Sequence, residues 1–112
     1  MRKRTAVVLL ALIVGAAAAV PVLAATPKFN GTVGPGFTIS MAKKPTKAGK
    51  TIIVVSDKSS IHNFRLKGPG VNIATSVPKT GSKSFTVTLK KGKYSFLCDP
   101  HPTTMKGSFT IR

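Results

Sequence analysis

The sequence predicts an all-β fold of the sandwich type, and two observations lead to this prediction. From residue 37 onward, short runs rich in Val, Ile, Thr and Phe are separated by clusters of Gly, Pro, Ser and Lys, which is typical of strands joined by turns. Within residues 84–89, Phe85, Val87 and Leu89 fall on one face of a strand, and the Ser and Thr residues between them on the other. Strands with one apolar face bury it by packing two sheets together.

Six strands are predicted from the apolar runs. They lie at residues 37–41, 51–56, 62–67, 84–89, 93–98 and 106–111. A weaker apolar patch at residues 71–77 favours one more short strand, so we expect about seven. Residues 26–36 contain three glycines and two prolines, and we expect them to form an extended leader or an edge segment.

The Lys-Lys-Gly-Lys sequence at residues 90–93 predicts a tight hairpin turn in which Gly92 takes a positive φ angle. The strand that follows should then pair with the strand that precedes the turn. By the two-residue period of a strand, Tyr94, Phe96 and Cys98 share one face. Because aromatic residues mark the interior, we expect Cys98 to point inward. Met41, which has no metal-binding neighbours, is expected in the core.

The first 25 residues have the composition of a signal peptide. Three basic residues near the start precede a 15-residue apolar run at residues 6–20, which is followed by a proline and small residues. A membrane-spanning helix needs about 20 apolar residues, and a signal peptidase accepts small residues of this kind. We therefore predict a signal peptide at residues 1–25 and one domain at residues 26–112, exported to the periplasm, the cell surface or the medium. An uncleaved anchor that leaves the domain outside the membrane is the alternative.

The predicted domain is strongly basic. Three of the 18 Lys and Arg residues precede residue 26, so that 15 remain against two acidic residues, a formal charge of +13. A field of this strength favours acidic partners or anionic surfaces. Nucleic acid is disfavoured as a partner, because the domain is exported and carries only two arginines, Arg65 and Arg112. A basic surface that serves solubility alone is the other interpretation.

Cys98 is the only cysteine of the chain, so no internal disulfide can form. A free thiol outside the cell is open to oxidation, whereas a metal bond would both use and protect the thiolate. Residues 98–105 read Cys-Asp-Pro-His-Pro-Thr-Thr-Met and place a thiolate, an imidazole and a thioether in one loop. Another imidazole, His62, lies at the start of an earlier predicted strand.

These side chains form the ligand set of a type 1 copper site, which has two imidazoles, a thiolate and a weak thioether. Structural zinc would require four strong ligands. We therefore predict one copper ion bound by His62, Cys98, His101 and Met105. The nearby Asp99 is expected to point away from Cys98 and to shape the turn through hydrogen bonds to neighbouring N–H groups.

The motifs resemble those of the cupredoxins, the group that includes plastocyanin, amicyanin and pseudoazurin, over nearly the whole predicted domain. The matching elements are His62-Asn63, a Gly-x-Tyr-x-Phe-x-Cys run ending at Cys98, and a Cys-x-x-His sequence followed by Met-x-Gly. The resemblance implies a cupredoxin-like Greek-key β-sandwich. It makes His62 the upstream histidine ligand, Cys98 the thiolate ligand and His101 the exposed histidine ligand. Met105 is then the axial ligand.

The resemblance also implies that Asn63 lies beside the ligands and that its side chain ties the two ligand loops together. One spacing departs from the family pattern. Three residues separate His101 from Met105, whereas plastocyanin-like chains have four and amicyanin-like chains have two. The length of the axial bond, and with it the potential and the colour, is left open by this spacing.

The function implied by the resemblance is that of a monomeric one-electron carrier and not of an enzyme. Its partner would be an acidic redox protein, such as a cytochrome or an oxidase, or an anionic envelope surface. The alternative is an extracytoplasmic copper carrier or buffer without a redox circuit. A thiol hydrolase that uses Cys98 and His101 is disfavoured, because no orienting third group or oxyanion site is apparent. A metal-free interaction module remains only if copper does not bind.

Overall fold

The computed structural model describes residues 24–112, and they form eight strands and no α-helix. The strands are β1 (Lys28–Val33), β2 (Ile39–Met41), β3 (Gly49–Asp57), β4 (Arg65–Gly68), β5 (Val71–Ala74), β6 (Gly81–Leu89), β7 (Gly92–Leu97) and β8 (Lys106–Ile111). The predicted signal peptide lies almost wholly outside the described residues. Within the described part of the chain, no helix is long and apolar enough to cross a membrane.

The strands form two four-stranded sheets, which confirms the predicted all-β sandwich. One sheet has the order β2-β1-β3-β6 and the other the order β5-β4-β7-β8. Strand β1 runs parallel to β3, and all other pairs are antiparallel. The apolar patch at residues 71–77 contains the predicted extra strand, β5.

The prediction that residues 26–36 form a leader or an edge segment is wrong. They contain β1, which lies inside its sheet between β2 and β3. The one glycine within β1, Gly31, has a packing role. A Cβ atom on Gly31 would lie 2.7 Å from the ring of Phe64, so the absence of a side chain lets that ring lie against β1.

The predicted hairpin between β6 and β7 is also wrong, because the two strands belong to different sheets. Gly92 does have the expected positive φ, 136°. The connection leads from one sheet to the other, and the Tyr94 side chain stabilises it through two hydrogen bonds. The Tyr94 hydroxyl accepts a hydrogen bond from the backbone N–H of Lys90 (2.9 Å) and donates one to the carbonyl of Pro69 (2.9 Å). The residues of the turn therefore predicted its glycine conformation but not which strands pair with one another.

The core lies between the sheets and includes the inward faces of both. Tyr94, Phe96 and Cys98 are buried, as the period of β7 predicts, and Met41 is buried as well. The ring of Phe96 stacks on that of Phe64, with centroids 5.6 Å apart and planes at 6°. This pair joins β7 to the segment just before β4, and burying each ring contributes about 1.5–3 kcal/mol.

Candidate metal centre

Two loops at one end of the sandwich bring the predicted ligands together. His62 lies in the loop between β3 and β4, and not at the start of a strand as predicted, since β4 begins at Arg65. Cys98 and His101 lie in the loop between β7 and β8. The Nδ1 atoms of His62 and His101 are 3.2 Å apart, and the Sγ atom of Cys98 is 3.7 Å from the first and 3.6 Å from the second.

The three donor atoms fit a single metal ion. For a triangle with these sides, the point equidistant from the corners is about 2.0 Å from each donor atom, close to the length of metal–imidazole bonds. His62 and Cys98 are fully buried, while His101 is partly exposed. One thiolate and two imidazoles in a three-sided arrangement are the strong ligands of a type 1 copper site, and no fourth strong ligand for zinc is present among the described residues.

The nitrogen atoms of His62 have different surroundings. Its Nδ1 faces the other two donors, whereas its Nε2 is buried with no hydrogen-bond partner among the described residues. A neutral imidazole carries its proton on one nitrogen and offers the other as a ligand. The structure therefore directs Nδ1 of His62 toward the metal position and leaves Nε2 to carry the proton.

Backbone hydrogen bonds within the loop hold Cys98, His101 and Met105 in place. The N–H of Cys98 donates to the carbonyl of Met105 (3.0 Å), that of His101 to Cys98 (3.1 Å), and that of Met105 to His101 (2.9 Å). Met105 is 1% exposed, so its side chain lies inside the sandwich at the end that carries the ligands. Its role as the axial ligand stays a prediction.

Asn63 connects the two ligand loops through its side chain. Its Nδ2 donates to a carboxylate oxygen of Asp99 (2.7 Å) and to the carbonyl of Thr75 (3.2 Å), and its Oδ1 accepts from the N–H of Asp99 (2.8 Å). Asn63 is 2% exposed. Because Asn63 follows His62 and Asp99 follows Cys98, these bonds set the distance between two of the predicted ligands.

Asp99 was expected to shape its turn through hydrogen bonds to neighbouring N–H groups, and its carboxylate instead bonds the side chains of residues more than thirty positions away. Its carboxylate accepts hydrogen bonds from Arg65 at 2.7 and 2.9 Å, in addition to the one from Asn63. The Arg65 guanidinium, followed by the Asn63 amide, lowers the pKa of Asp99 below its usual value. A carboxylate next to the cysteine in sequence is thus paired with the guanidinium of a β4 residue.

Phe37 lies near the site, a position that no feature of the sequence predicts. Its ring centroid lies 5.0 Å from that of His62 and 5.0 Å from that of His101, in edge-to-face arrangements. We predicted it as the first residue of a strand, but it lies in the loop before β2 and is 62% exposed. No local signal identifies it, because the loop that carries Phe37 reaches the histidines only after the sheets have formed.

Comparisons with known proteins agree with the fold. The family model for the cupredoxin-like domain matches residues 5–111. None of the curated protein sequences gives a significant match.

Solved structures are similar in fold. An auracyanin from Roseiflexus castenholzii has 20% identity and a TM-score of 0.56, covering 78% of this chain and 97% of its own. Auracyanin A from Chloroflexus aurantiacus, a blue copper protein, has 17% identity and a TM-score of 0.52, with coverages of 77% and 99%. Reduced rusticyanin has 20% identity and a TM-score of 0.59, with coverages of 76% and 78%.

The family match spans nearly all of the chain, and the donor set formed by His62, Cys98 and His101 is that of a type 1 copper site. The chain therefore belongs to the family of cupredoxin-like domains, with copper as its cofactor.

Proposed function

We propose that the protein is a one-electron carrier and not an enzyme. The observation that carries this proposal is that hydrogen bonds within the protein already hold the three donor atoms within 3.2 to 3.7 Å of one another. Copper bound there supplies a one-electron couple between Cu(I) and Cu(II). A site whose ligands are held by the protein needs little rearrangement when the charge of the metal changes.

Several contacts supply this restraint. The Asn63 side chain links the two ligand loops, and the stacked rings of Phe64 and Phe96 fix the residues that flank those loops. The Phe64 N–H donates to the Thr75 hydroxyl (2.9 Å), and the Thr75 N–H donates to the Phe64 carbonyl (3.0 Å). Both ligand loops are therefore tied to the rest of the sandwich without any bond through a metal.

The accessibility of the ligands supports electron transfer over catalysis by the thiol. Cys98 is fully buried, so its sulfur cannot reach the scissile bond of a substrate. His101 is partly exposed and carries a ligand atom on one side of its ring. The outer edge of this imidazole is the proposed route by which an electron enters or leaves the site.

Charge supports an acidic redox protein as the partner, with an anionic envelope surface as the other possibility. All lysines of the described residues are exposed. Of the two carboxylates, Asp57 is buried and Asp99 is bound by Arg65. The outer surface is therefore almost wholly positive, and such a field accelerates encounters with acidic proteins. Export, which the composition of residues 1–25 favours, is part of this proposal.

The visible spectrum after addition of Cu(II) tests the copper site directly. We expect the purified domain of residues 26–112 to develop an intense thiolate-to-copper band. The variant Cys98→Ser should lack this band, because the hydroxyl cannot replace the thiolate. A wild-type domain that stays colourless, or a Cys98→Ser variant that keeps the band, would contradict the proposal.

A second experiment distinguishes electron transfer from copper delivery. We expect the rate of electron exchange between the copper-loaded protein and an acidic cytochrome to fall steeply as salt is added, while the copper stays bound. Rapid loss of copper to an acceptor protein, with no electron exchange, would instead identify a copper carrier or buffer.

A further inference from the structure

We propose that Phe37 is a positioning residue for the copper centre, which holds the two ligand imidazoles in their orientations and covers them from solvent. This inference rests on the proposed copper site and adds a residue that supplies no ligand atom. The centroids of Phe37, His62 and His101 lie 4.9 to 5.0 Å apart in all three pairs. Their interplanar angles are 69°, 85° and 76°.

The three rings thus form a mutual edge-to-face cluster. Aromatic pairs favour this geometry because the positive edge of one ring meets the negative face of another, and each such pair shifts an equilibrium by a factor of roughly 2 to 10. The two imidazoles are also restrained by the site on their Nδ1 sides. Phe37 provides a second point of restraint on both rings, of which His101 is partly exposed.

The exposure of Phe37 itself calls for an explanation. Only two large apolar side chains of the described residues are exposed, Phe37 at 62% and Ile61 at 54%. An exposed aromatic ring needs specific contacts to hold it in one position, and the aromatic contacts of this ring are with the two imidazoles.

The loop between β1 and β2, which carries none of the predicted ligands, places Phe37 at the site. The loop joins β1 and β2, which pair directly, and the Gly34 N–H donates to the Thr38 carbonyl at 2.8 Å. Gly34 has a φ angle of 71°, and a Cβ atom there would lie 2.8 Å from the Cβ of Ser59 and 3.6 Å from the His62 ring. The glycine thereby lets this loop pack closely against the loop that carries His62.

The consequence is that Phe37 slows the release of copper and stabilises one orientation of His101. For His101 to leave the metal, its ring must turn away from the ring of Phe37. Because one such contact is worth a factor of roughly 2 to 10, loss of the Phe37 ring should speed copper release by up to about tenfold.

The test compares the wild type with Phe37→Ala, Phe37→Leu, Phe37→Tyr and, as the matched control, Ile61→Ala. Release of copper from the reduced protein to a Cu(I)-selective chelator is followed over time, and the electron paramagnetic resonance spectrum is recorded for the oxidised protein. We expect up to about tenfold faster release and an altered spectrum for Phe37→Ala. Phe37→Leu should fall between it and the wild type, while Phe37→Tyr and Ile61→Ala should match the wild type. Equal release rates for Phe37→Ala and Ile61→Ala would overturn the inference.

A measurement on the copper-free protein separates this inference from the proposed function. The ring current of Phe37 should shift the imidazole proton resonances of His62 and His101 in nuclear magnetic resonance spectra. Phe37→Ala should move both sets of resonances, and Ile61→Ala should leave them in place. If the wild type binds no copper, the proposed function fails, and these resonances still decide whether Phe37 holds the rings. Unmoved resonances in Phe37→Ala would overturn the inference by themselves.

Discussion

Asn63 and Asp99 form a reciprocal pair across the end of the sandwich. The Asn63 amide donates to the Asp99 carboxylate at 2.7 Å, and the Asp99 backbone N–H donates to the Asn63 side-chain oxygen at 2.8 Å. Each residue directly follows a predicted copper ligand, His62 in one loop and Cys98 in the other. Two hydrogen bonds between the neighbours of these predicted ligands therefore hold the two loops together.

Replacing Asn63 by Ala should strongly destabilise the copper-free protein. The change removes three side-chain hydrogen bonds at a buried position, and it leaves the Thr75 carbonyl and the Asp99 N–H without their partners. We expect a loss of about 2–4 kcal/mol in the free energy of unfolding, measured by urea denaturation. Asn72→Ala is the matched control, because the exposed Asn72 accepts a bond only from the Arg65 side chain, and it should cost less than about 1 kcal/mol. Equal losses would refute the structural role of Asn63.

The Arg65–Asp99 pair should contribute to the free energy of unfolding at neutral pH and lose this contribution as the pH falls. Arg65, and then Asn63, lowers the pKa of Asp99 in the folded state. The resulting stabilisation is present above the unfolded pKa and disappears as the pH falls through the lower, folded pKa. Because both side chains are about one-third exposed, we expect Asp99→Asn to cost on the order of 1 kcal/mol at pH 7. Unfolding curves from pH 7 to pH 3 should show this cost shrinking, and a cost that is constant with pH would rule out the ionic contribution.

Asp57 should have the opposite effect, lowering the free energy of unfolding as the pH rises. Burial raises the pKa of its carboxyl in spite of the hydrogen bond from the Ser59 N–H. The folded state therefore binds the proton more readily than the unfolded state does, and the carboxylate destabilises the fold increasingly as the pH rises from the unfolded pKa through the folded one. The variant Asp57→Asn keeps a side-chain oxygen that can accept the hydrogen bond from the Ser59 N–H. Its free energy of unfolding should rise relative to that of the wild type as the pH increases over this range. A shift toward the wild type would show that the carboxylate is stabilised by its surroundings.

The predicted axial role of Met105 can be separated from its packing role. Met105→Leu keeps an apolar side chain of similar volume at a buried position, so the fold should lose less than about 1.5 kcal/mol. If the thioether is a weak axial ligand, its removal destabilises Cu(II) more than Cu(I), and the reduction potential should rise while the thiolate band remains. Met41→Leu is the matched control, since Met41 is also buried but lies in β2. An unchanged potential in Met105→Leu, or an equal rise in Met41→Leu, would show that Met105 is a packing residue.

The sequence by itself determined the chemistry of the site and the class of the fold. The two-residue period of the strands is a local property, so it predicted that Tyr94, Phe96 and Cys98 point inward, as they do. The number of candidate donors is small, with one cysteine and two histidines in the chain. For this reason the residue types alone were enough to predict the three strong ligands, and the fold brings their donor atoms together.

Tertiary structure decided which strands pair and what surrounds the ligands. β6 and β7 follow one another through a glycine turn, yet they lie in different sheets, and β1 is an inner strand despite its glycine. Asp99 meets residues more than thirty positions away, and Phe37 meets histidines of two other loops. Strand pairing and contacts between loops depend on how the apolar faces of the two sheets cover each other. This is a property of the whole chain, and no segment of the sequence contains it.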